Sequence, residues 1–148
     1  MKILVFNRQK DLPLSSPSVR SVVKQVLLTE QRSTDELSLY FVTTEEICHL
    51  HEQFFDDPSP TDCISFPMDE REKTDYHILG EVFVCPQAAI EQVMTIGEAY
   101  QEATLYLVHG ILHLLGYDDI RKSDIKKMRE AEARNMKALI DKKNVLRG

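Results

Sequence analysis

Two histidines that could bind a metal ion, His109 and His113, lie four residues apart in an apolar, helix-compatible stretch of the sequence. On an α-helix this spacing places both imidazoles on one face, with Cβ atoms ~5–6 Å apart. Two imidazoles in that arrangement can bind a single metal ion. The alternative is a pair of core histidines, each of which would need its own buried polar partner. The spacing favours the metal site.

The residues just after the two histidines can supply a third ligand. Gly116 follows His113 by three residues, at a position where a helix ends in a left-handed cap, and Asp118 and Asp119 come next. A carboxylate from this turn can complete a set of three protein ligands and leave the fourth position open. An open fourth position is typical of a catalytic zinc site rather than a structural one.

The same residues also fit the spacing of a metalloprotease motif, His-x3-His-x2-Gly-x2-Asp. In that motif the general base is a glutamate directly after the first histidine. Here that position is Gly110. A metal-dependent peptidase is therefore the less favoured alternative.

The composition is typical of a single globular domain, residues 1–148, with 43% hydrophobic and 28% charged residues. No apolar run is long enough to span a membrane, and the N-terminal residues lack the features of a signal peptide. We therefore expect a cytoplasmic protein with no membrane partner. Its cysteines, Cys48, Cys63 and Cys85, are odd in number and widely spaced, which predicts free thiols and no disulfide partner.

The net charge of −6 is unevenly distributed along the chain. Residues 121–148 contain ten Lys or Arg and four Asp or Glu, so this segment carries +6 and residues 1–120 carry −12. A basic C-terminal helix can lie on phosphates, although a solvated helix face has the same composition. The acidic remainder argues against tight, non-specific binding of nucleic acid.

The hydrophobic pattern predicts an α+β domain with a small mixed sheet of four strands and about five helices. Strands are expected at residues 2–6, 37–42, 61–66 and 79–84. The helices are expected to begin at Ser16 as N-cap, at the capping box Thr43-x-x-Glu46, at Pro86, at the capping box Thr95-x-x-Glu98 and at Ser123 as N-cap.

The helix that carries the two histidines is too apolar to lie on the surface, so we expect it at the centre of the domain. Residues 68–77 are mostly charged and have no apolar period, which predicts an exposed, mobile loop. The second helix contains His49 and His51, which are two residues apart and point to different faces, so we rank them as weak ligand candidates.

The stretch from His109 to Asp119 resembles the signature of the bacterial YbeY endoribonuclease family, His-Gly-x-Leu-His-Leu-x-Gly-Tyr-Asp-His, at eight of its nine fixed positions. Residues 60–67 and 79–82 are similar to two strand motifs of that family, Pro-Thr-Asp-Val-Leu-Ser-Phe-Pro and Leu-Gly-Asp-Ile. The resemblance implies an α+β fold with one zinc ion and metal-dependent cleavage of single-stranded RNA. It also implies a role in maturation of the small-subunit ribosomal RNA 3′ end and in ribosome quality control. The implied partners are ribosomal RNA and the small ribosomal subunit.

The resemblance assigns the three metal ligands to His109, His113 and Asp119, where Asp119 takes the place of the family's third histidine. A carboxylate binds zinc at ~2.0–2.2 Å and adds negative charge to the site.

Four further polar residues are candidates for the surroundings of the metal. Asp62, Ser65 and Glu81 match motif positions near strand ends, and we expect them in the cleft or in contact with the ligands. Asp118 is the nearest carboxylate in sequence, but it also fits a turn residue that holds the backbone. No general base is assigned.

Phe55 occupies the position of an arginine that is thought to help bind or cleave RNA in the family. A phenylalanine cannot hold a phosphate by charge-assisted hydrogen bonds. An alternative function is therefore a ribosome-associated binding factor whose metal is structural.

Overall fold

The computed structural model describes residues 1–68 and 75–148, which contain four strands and five helices. In chain order these are β1 (Lys2–Asn7), α1 (Ser16–Thr29), β2 (Glu36–Phe41), α2 (Thr44–Phe55), β3 (Cys63–Pro67), β4 (Ile78–Val84), α3 (Pro86–Gln92), α4 (Ile96–Leu114) and α5 (Lys122–Asp141). The predicted α+β class is confirmed. Residues 69–74 of the loop expected at 68–77 lie outside the described residues.

The four strands form one mixed sheet in the order β1-β2-β4-β3. β1, β2 and β4 are parallel, and β3 pairs antiparallel with β4 at the edge. Successive side chains of β4 point to opposite faces of the sheet. Val82 packs in the main core, and Phe83 packs with Ile47 of α2 on the other face. The main core lies between the sheet and the layer that includes α1, α4 and α5.

Helix α4 lies at the centre of the domain, as its apolar sequence predicts. It packs against β3, β4, α1, α3 and α5, and Leu107, Val108, Ile111 and Leu112 are fully buried. Within the described ranges no helix is both apolar enough and long enough to cross a membrane. The central packing holds the C-terminal end of α4, which carries the histidines, beside the edge strand β3.

The predicted helix starts at the two threonines are confirmed. The side chain of Thr43 accepts the backbone N–H of Glu46 at 3.2 Å, and that of Thr95 accepts the N–H of Glu98 at 3.1 Å. Each bond satisfies one of the N–H groups that a helix start leaves without a partner.

Two helix starts differ from the sequence-based expectation. The N-cap of α1 is Ser15 rather than Ser16, and its side chain accepts the Ser18 N–H at 3.3 Å. The N-cap of α5 is Arg121 rather than Ser123, with no side-chain cap bond. The backbone bond from Ile125 N–H to the Arg121 carbonyl, 2.8 Å, already closes the first turn there.

The edge strand also has different bounds from those expected, since it begins at Cys63 and includes Pro67. Pro67 pairs with Gly80 of β4, and a proline is tolerated there because an edge strand does not need every N–H for pairing.

Candidate metal centre

The last turn and a half of α4 presents the two histidines together. The Nε2 atoms of His109 and His113 face each other at 3.0 Å. The carboxylate of Asp119 lies opposite them, with Oδ2 3.5 Å from His109 Nε2 and 3.4 Å from His113 Nε2. The structure therefore brings together the three side chains that the sequence predicted as ligands, all partly buried.

The separations within this triad fit a tetrahedral ion. Ligands at ~2.0–2.1 Å from a tetrahedral zinc ion stand about 3.3–3.4 Å apart. The three observed separations, 3.0, 3.4 and 3.5 Å, lie close to that value. Two ring nitrogens and one carboxylate oxygen are also a donor set that zinc accepts, so the residues fit a divalent cation.

The helix end places Asp119 next to the histidines. Gly116 has φ +104°, and the N–H groups of Gly116 and Tyr117 donate to the carbonyls of His113 and Leu112, both at 3.0 Å. These two bonds form a Schellman motif, which a residue with a Cβ adopts only with strain. Asp118 Oδ1 then accepts the Asp119 N–H at 2.7 Å, so Asp118 has the turn role considered for it.

Glu132 of α5 is a member of the site that sequence reasoning missed. Its Oε2 lies 2.5 Å from His109 Nδ1, and Arg129 donates to both of its oxygens at 2.6 and 2.7 Å. Because Glu132 accepts the Nδ1–H of His109, the lone pair of that ring is left on Nε2, facing the other two ligands. One signal in the sequence was available: Glu132 is a charged residue on the otherwise mostly apolar buried side of α5.

The environment keeps Glu132 ionised. Burial by itself raises the pKa of this carboxyl, but hydrogen bonds from His109 and Arg129 outweigh burial and hold the pKa below its ordinary value. An ionised Glu132 is the form that accepts from His109.

A cavity of about 510 Å³ opens beside the triad between α4, β3 and the end of α2, and its size is typical of a small-molecule site. Asp62 and Ser65 line it, as the sequence-based hypothesis expected of cleft residues. Asp62 is exposed and also lines a second cavity of about 360 Å³ on the α5 side of His109. Ser65 donates from Oγ to the Gly110 carbonyl at 2.9 Å, which ties β3 to the helix that carries the two histidines.

Glu81 lies elsewhere. Its neighbour Val82 faces α4, so the alternation of the strand directs Glu81 toward the α2 face of the sheet. There burial and the nearby Glu81 carboxylate raise the pKa of the Tyr40 hydroxyl above its ordinary value. Glu81 does not line the cavity beside the triad.

Gly110 faces the sheet rather than the cavity. A Cβ at this position would lie 2.4 Å from Val82 Cγ1 and 3.1 Å from Cys63 Sγ, so α4 can approach β3 and β4 this closely only with glycine there. The glutamate of a metalloprotease motif would not fit at this position.

The two weak ligand candidates of α2 are separated by the fold. His51 lines the cavity and Nδ1 lies 2.8 Å from the Ser59 carbonyl, whereas His49 is exposed and lies with Glu45, Glu46 and Glu52 around another depression. Neither is part of the donor group. Phe55, in contrast, lines the same cavity as the triad.

Cys63 also borders the cavity as a free thiol. Burial raises the pKa of this thiol far above its ordinary value, so it stays protonated at neutral pH.

Comparison with known proteins gives a consistent result. The sequence model of the family described as Endoribonuclease YbeY matches residues 4–140. The protein is 53% identical over 131 residues to an Endoribonuclease YbeY of Protochlamydia amoebophila, covering 88% of this chain and 87% of the relative. It is 39% identical to the Endoribonuclease YbeY of Chlamydia abortus, covering 99% of this chain and 96% of the relative.

A solved structure has the same fold. The solution structure of TM1509 from Thermotoga maritima aligns with a TM-score of 0.61 and 24% sequence identity, covering 95% of this chain and 90% of that one. The family match spans nearly the whole chain, and it includes the helix and turn that form the candidate metal centre. The chain therefore belongs to the YbeY endoribonuclease family.

Proposed function

We propose that this protein is a metal-dependent endoribonuclease that cleaves single-stranded RNA. Its role would be maturation of the small-subunit ribosomal RNA 3′ end and ribosome quality control, with ribosomal RNA and the small subunit as its cytoplasmic partners. The observation that carries the proposal is the group of three donors, 3.0–3.5 Å apart, beside a cavity open to solvent. Its relatives are named endoribonucleases, which supports RNA as the substrate.

Zn²⁺ is the ion that this donor set fits best, since two imidazoles and one carboxylate leave a fourth tetrahedral position free. A divalent cation held there supplies Lewis-acid chemistry, polarising a phosphoryl oxygen or acidifying a water molecule. His109, His113 and Asp119 would hold the ion, and Glu132 would keep His109 in the tautomer that can bind it.

We assign two further side chains a role in contact with the RNA itself. Asp62 is an exposed carboxylate in the cavity outside the triad, and we assign it the acceptor of the nucleophile's proton. Arg129 lines the smaller cavity together with His109 and Asp119. Its side chain is 61% exposed, and its guanidinium can contact a phosphate beside the one that is cleaved.

Peptidase chemistry is disfavoured by the packing of Gly110. The general base of a metalloprotease would have to project from this position, and the strand residues Val82 and Cys63 fill the space that its side chain would need.

The test is single-turnover cleavage of a small-subunit ribosomal RNA 3′ fragment, with casein as the peptidase control. Wild type should cut the RNA, not the casein, and a chelator should stop the cleavage. His113→Ala should be inactive, whereas His49→Ala, which changes an exposed histidine outside the donor group, should be as active as wild type. If all three proteins bind the RNA and none cuts it, the protein is a ribosome-associated binding factor rather than a nuclease. Cleavage of casein would support a peptidase.

A further inference from the structure

We propose that the ring of Phe55 is a stacking platform for one unpaired nucleobase of the RNA at the mouth of the metal cavity. This inference rests on the proposed function, because it names how that site holds its substrate. It adds a substrate-binding residue on the α2 side of the cavity, opposite the helix that carries the histidines.

The end of α2 exposes two adjacent large aromatic side chains. Phe54 is 56% exposed and Phe55 is 55% exposed. A single exposed apolar residue is ordinary, but neighbouring exposed aromatics at the edge of a cavity are typical of a binding surface. Helix α2 ends immediately afterwards at Asp56, which has φ +56° and caps the helix in the left-handed conformation.

The two phenylalanines have different surroundings. Phe54 packs edge-on against Phe66, with ring centroids 4.9 Å apart, and does not line the cavity. Phe55 lines the cavity that contains the triad. Phe55 is therefore the one of the two that a substrate bound at the metal can reach.

The ring of Phe55 has two aromatic neighbours that support it. His51, one helical turn earlier, lies 5.7 Å from it between centroids, and Phe66 of β3 lies 6.4 Å away with the ring planes only 27° apart. His51 is itself fixed by its contact with the Ser59 carbonyl at 2.8 Å. A supported ring that is still half exposed loses little conformational freedom when a flat ligand binds it.

The charge of the cavity explains why such a contact is needed. Asp62, Asp118 and Asp119 line it, and no Lys or Arg does so among the residues that the structure describes. Phosphate attraction from the lining is therefore absent on this side. Base–aromatic stacking contributes about 1–3 kcal/mol per base without requiring charge or a particular sequence, and it requires an unpaired base.

Tryptophan fluorescence can test the contact directly, because the chain contains no tryptophan. Phe55→Trp introduces a single reporter at the cavity. Phe6→Trp is the matched control, since Phe6 is also an exposed phenylalanine, 39%, but lies on β1 at the opposite edge of the sheet, where it stacks on Tyr40. Zinc-loaded protein is mixed with octaadenylate in a stopped-flow instrument, so that binding is read before cleavage. We expect single-stranded RNA to quench the emission of Phe55→Trp but not of Phe6→Trp, and an RNA duplex of equal length to quench neither.

Kinetics provide a second, independent measurement. Phe55→Leu keeps an apolar side chain but removes the aromatic face. Its KM for single-stranded RNA should rise about five- to hundredfold with kcat nearly unchanged, as expected for loss of one stacked base. Phe6→Leu should have wild-type KM, and the bound zinc and thermal unfolding of both proteins should match wild type.

Equal quenching in the two tryptophan proteins, quenching by the duplex, or no quenching of Phe55→Trp would overturn the proposal. An unchanged KM in Phe55→Leu would overturn it as well. Cleavage by wild type together with any of these results would leave the nuclease function intact and remove only the stacking contact. Quenching of Phe55→Trp by single-stranded RNA in a protein that does not cleave would support the contact and contradict the nuclease.

Discussion

The turn after α4 connects two polar clusters that contrast in their chemistry. One cluster, which we call the Glu30 cluster, consists of Glu30, Tyr117, Arg134 and Asn135. The other is the triad of His109, His113 and Asp119. Tyr117 and Asp119 are two residues apart, so the same turn supplies one member to each cluster.

The carboxylate at the centre of the Glu30 cluster has all its partners within the cluster. The Glu30 carboxylate accepts from the Tyr117 hydroxyl at 2.6 Å, from two nitrogens of Arg134 at 3.0 Å and from the Asn135 amide at 2.8 Å. Its side chain is only 4% exposed. Burial raises the pKa of this carboxyl, but these hydrogen bonds outweigh burial and lower it. The Glu30 carboxylate is therefore fully paired, and the buried Oδ1 of Asn135 is the polar atom of the cluster that has no hydrogen-bond partner among the residues that the structure describes.

The triad has the opposite character. Asp119 Oδ2 and the Nε2 atoms of the two histidines converge, and the nearby Arg129 is bound to Glu132 instead. Lone pairs that converge at 3.0–3.5 Å are stabilised by a cation shared among them. The comparison teaches that Glu30 has its cationic partner, Arg134, within the protein, whereas the triad is a group of donors that can hold a metal ion.

The largest effect on metal binding should follow removal of a histidine. His113→Ala should lose nearly all bound zinc, since it removes one of three protein ligands. His49→Ala should retain about one ion per chain. Metal analysis of the purified proteins measures both, and equal zinc in the two variants would contradict the assignment of the triad.

A smaller loss should follow a change of the carboxylate. Asp119→Ala should weaken zinc binding by about tenfold or more, and Asp119→His should keep or strengthen it because imidazole is also a good zinc ligand. Competition with a chromophoric chelator measures the affinities. Unchanged affinity in Asp119→Ala would make Asp118 the candidate ligand.

A loss of about tenfold in zinc affinity is expected for Glu132→Gln, because the change weakens the hydrogen bond that orients His109 and leaves the three ligands in place. The matched control is Glu130→Gln, two residues earlier on the same helix, where the side chain is exposed. Calorimetric zinc titration measures the zinc affinity of both variants. Wild-type affinity in Glu132→Gln would mean that the contact with His109 only packs α5 against α4.

The smallest effect on metal binding is expected in the Glu30 cluster. Glu30→Gln should change zinc affinity by less than about twofold. It should lower the free energy of unfolding by roughly 2–3 kcal/mol, which is less than for a fully buried ion pair because the Arg134 side chain is half exposed. Chemical denaturation of the zinc-free proteins measures the free energy of unfolding. If Glu30→Gln lost zinc but kept its stability, Glu30 would belong to the metal site rather than to a structural cluster.

The stability difference in Glu30→Gln should depend on pH in one direction. The pKa of Glu30 is lower in the folded protein than its ordinary value of 4.5. The carboxylate therefore stabilises the fold fully above the unfolded-state pKa, and this contribution declines as the pH falls through the lowered folded-state pKa. Denaturation of both proteins at neutral pH and at progressively more acidic pH should show the two stabilities converging.

Local spacing in the sequence was enough to predict one part of the site. His109 and His113 face each other because four residues make about one helical turn, and Gly116 ends the helix because of its conformational freedom. The two threonine caps and the apolar course of α4 likewise predict elements from neighbours in the chain. The similarity to the YbeY family then selected Asp119, which the structure places beside the two histidines.

The tertiary structure alone decided which distant side chains meet. Glu132 reaches His109 across 23 residues because α5 packs against α4, and Arg134 reaches Glu30 across 104 residues. Asp62 lines the cavity whereas Glu81 belongs to the other face of the sheet, although both match family motifs. Helical and strand periodicities relate residues within one element, but the contact of side chains from different elements depends on how the close-packed core sets the elements against each other.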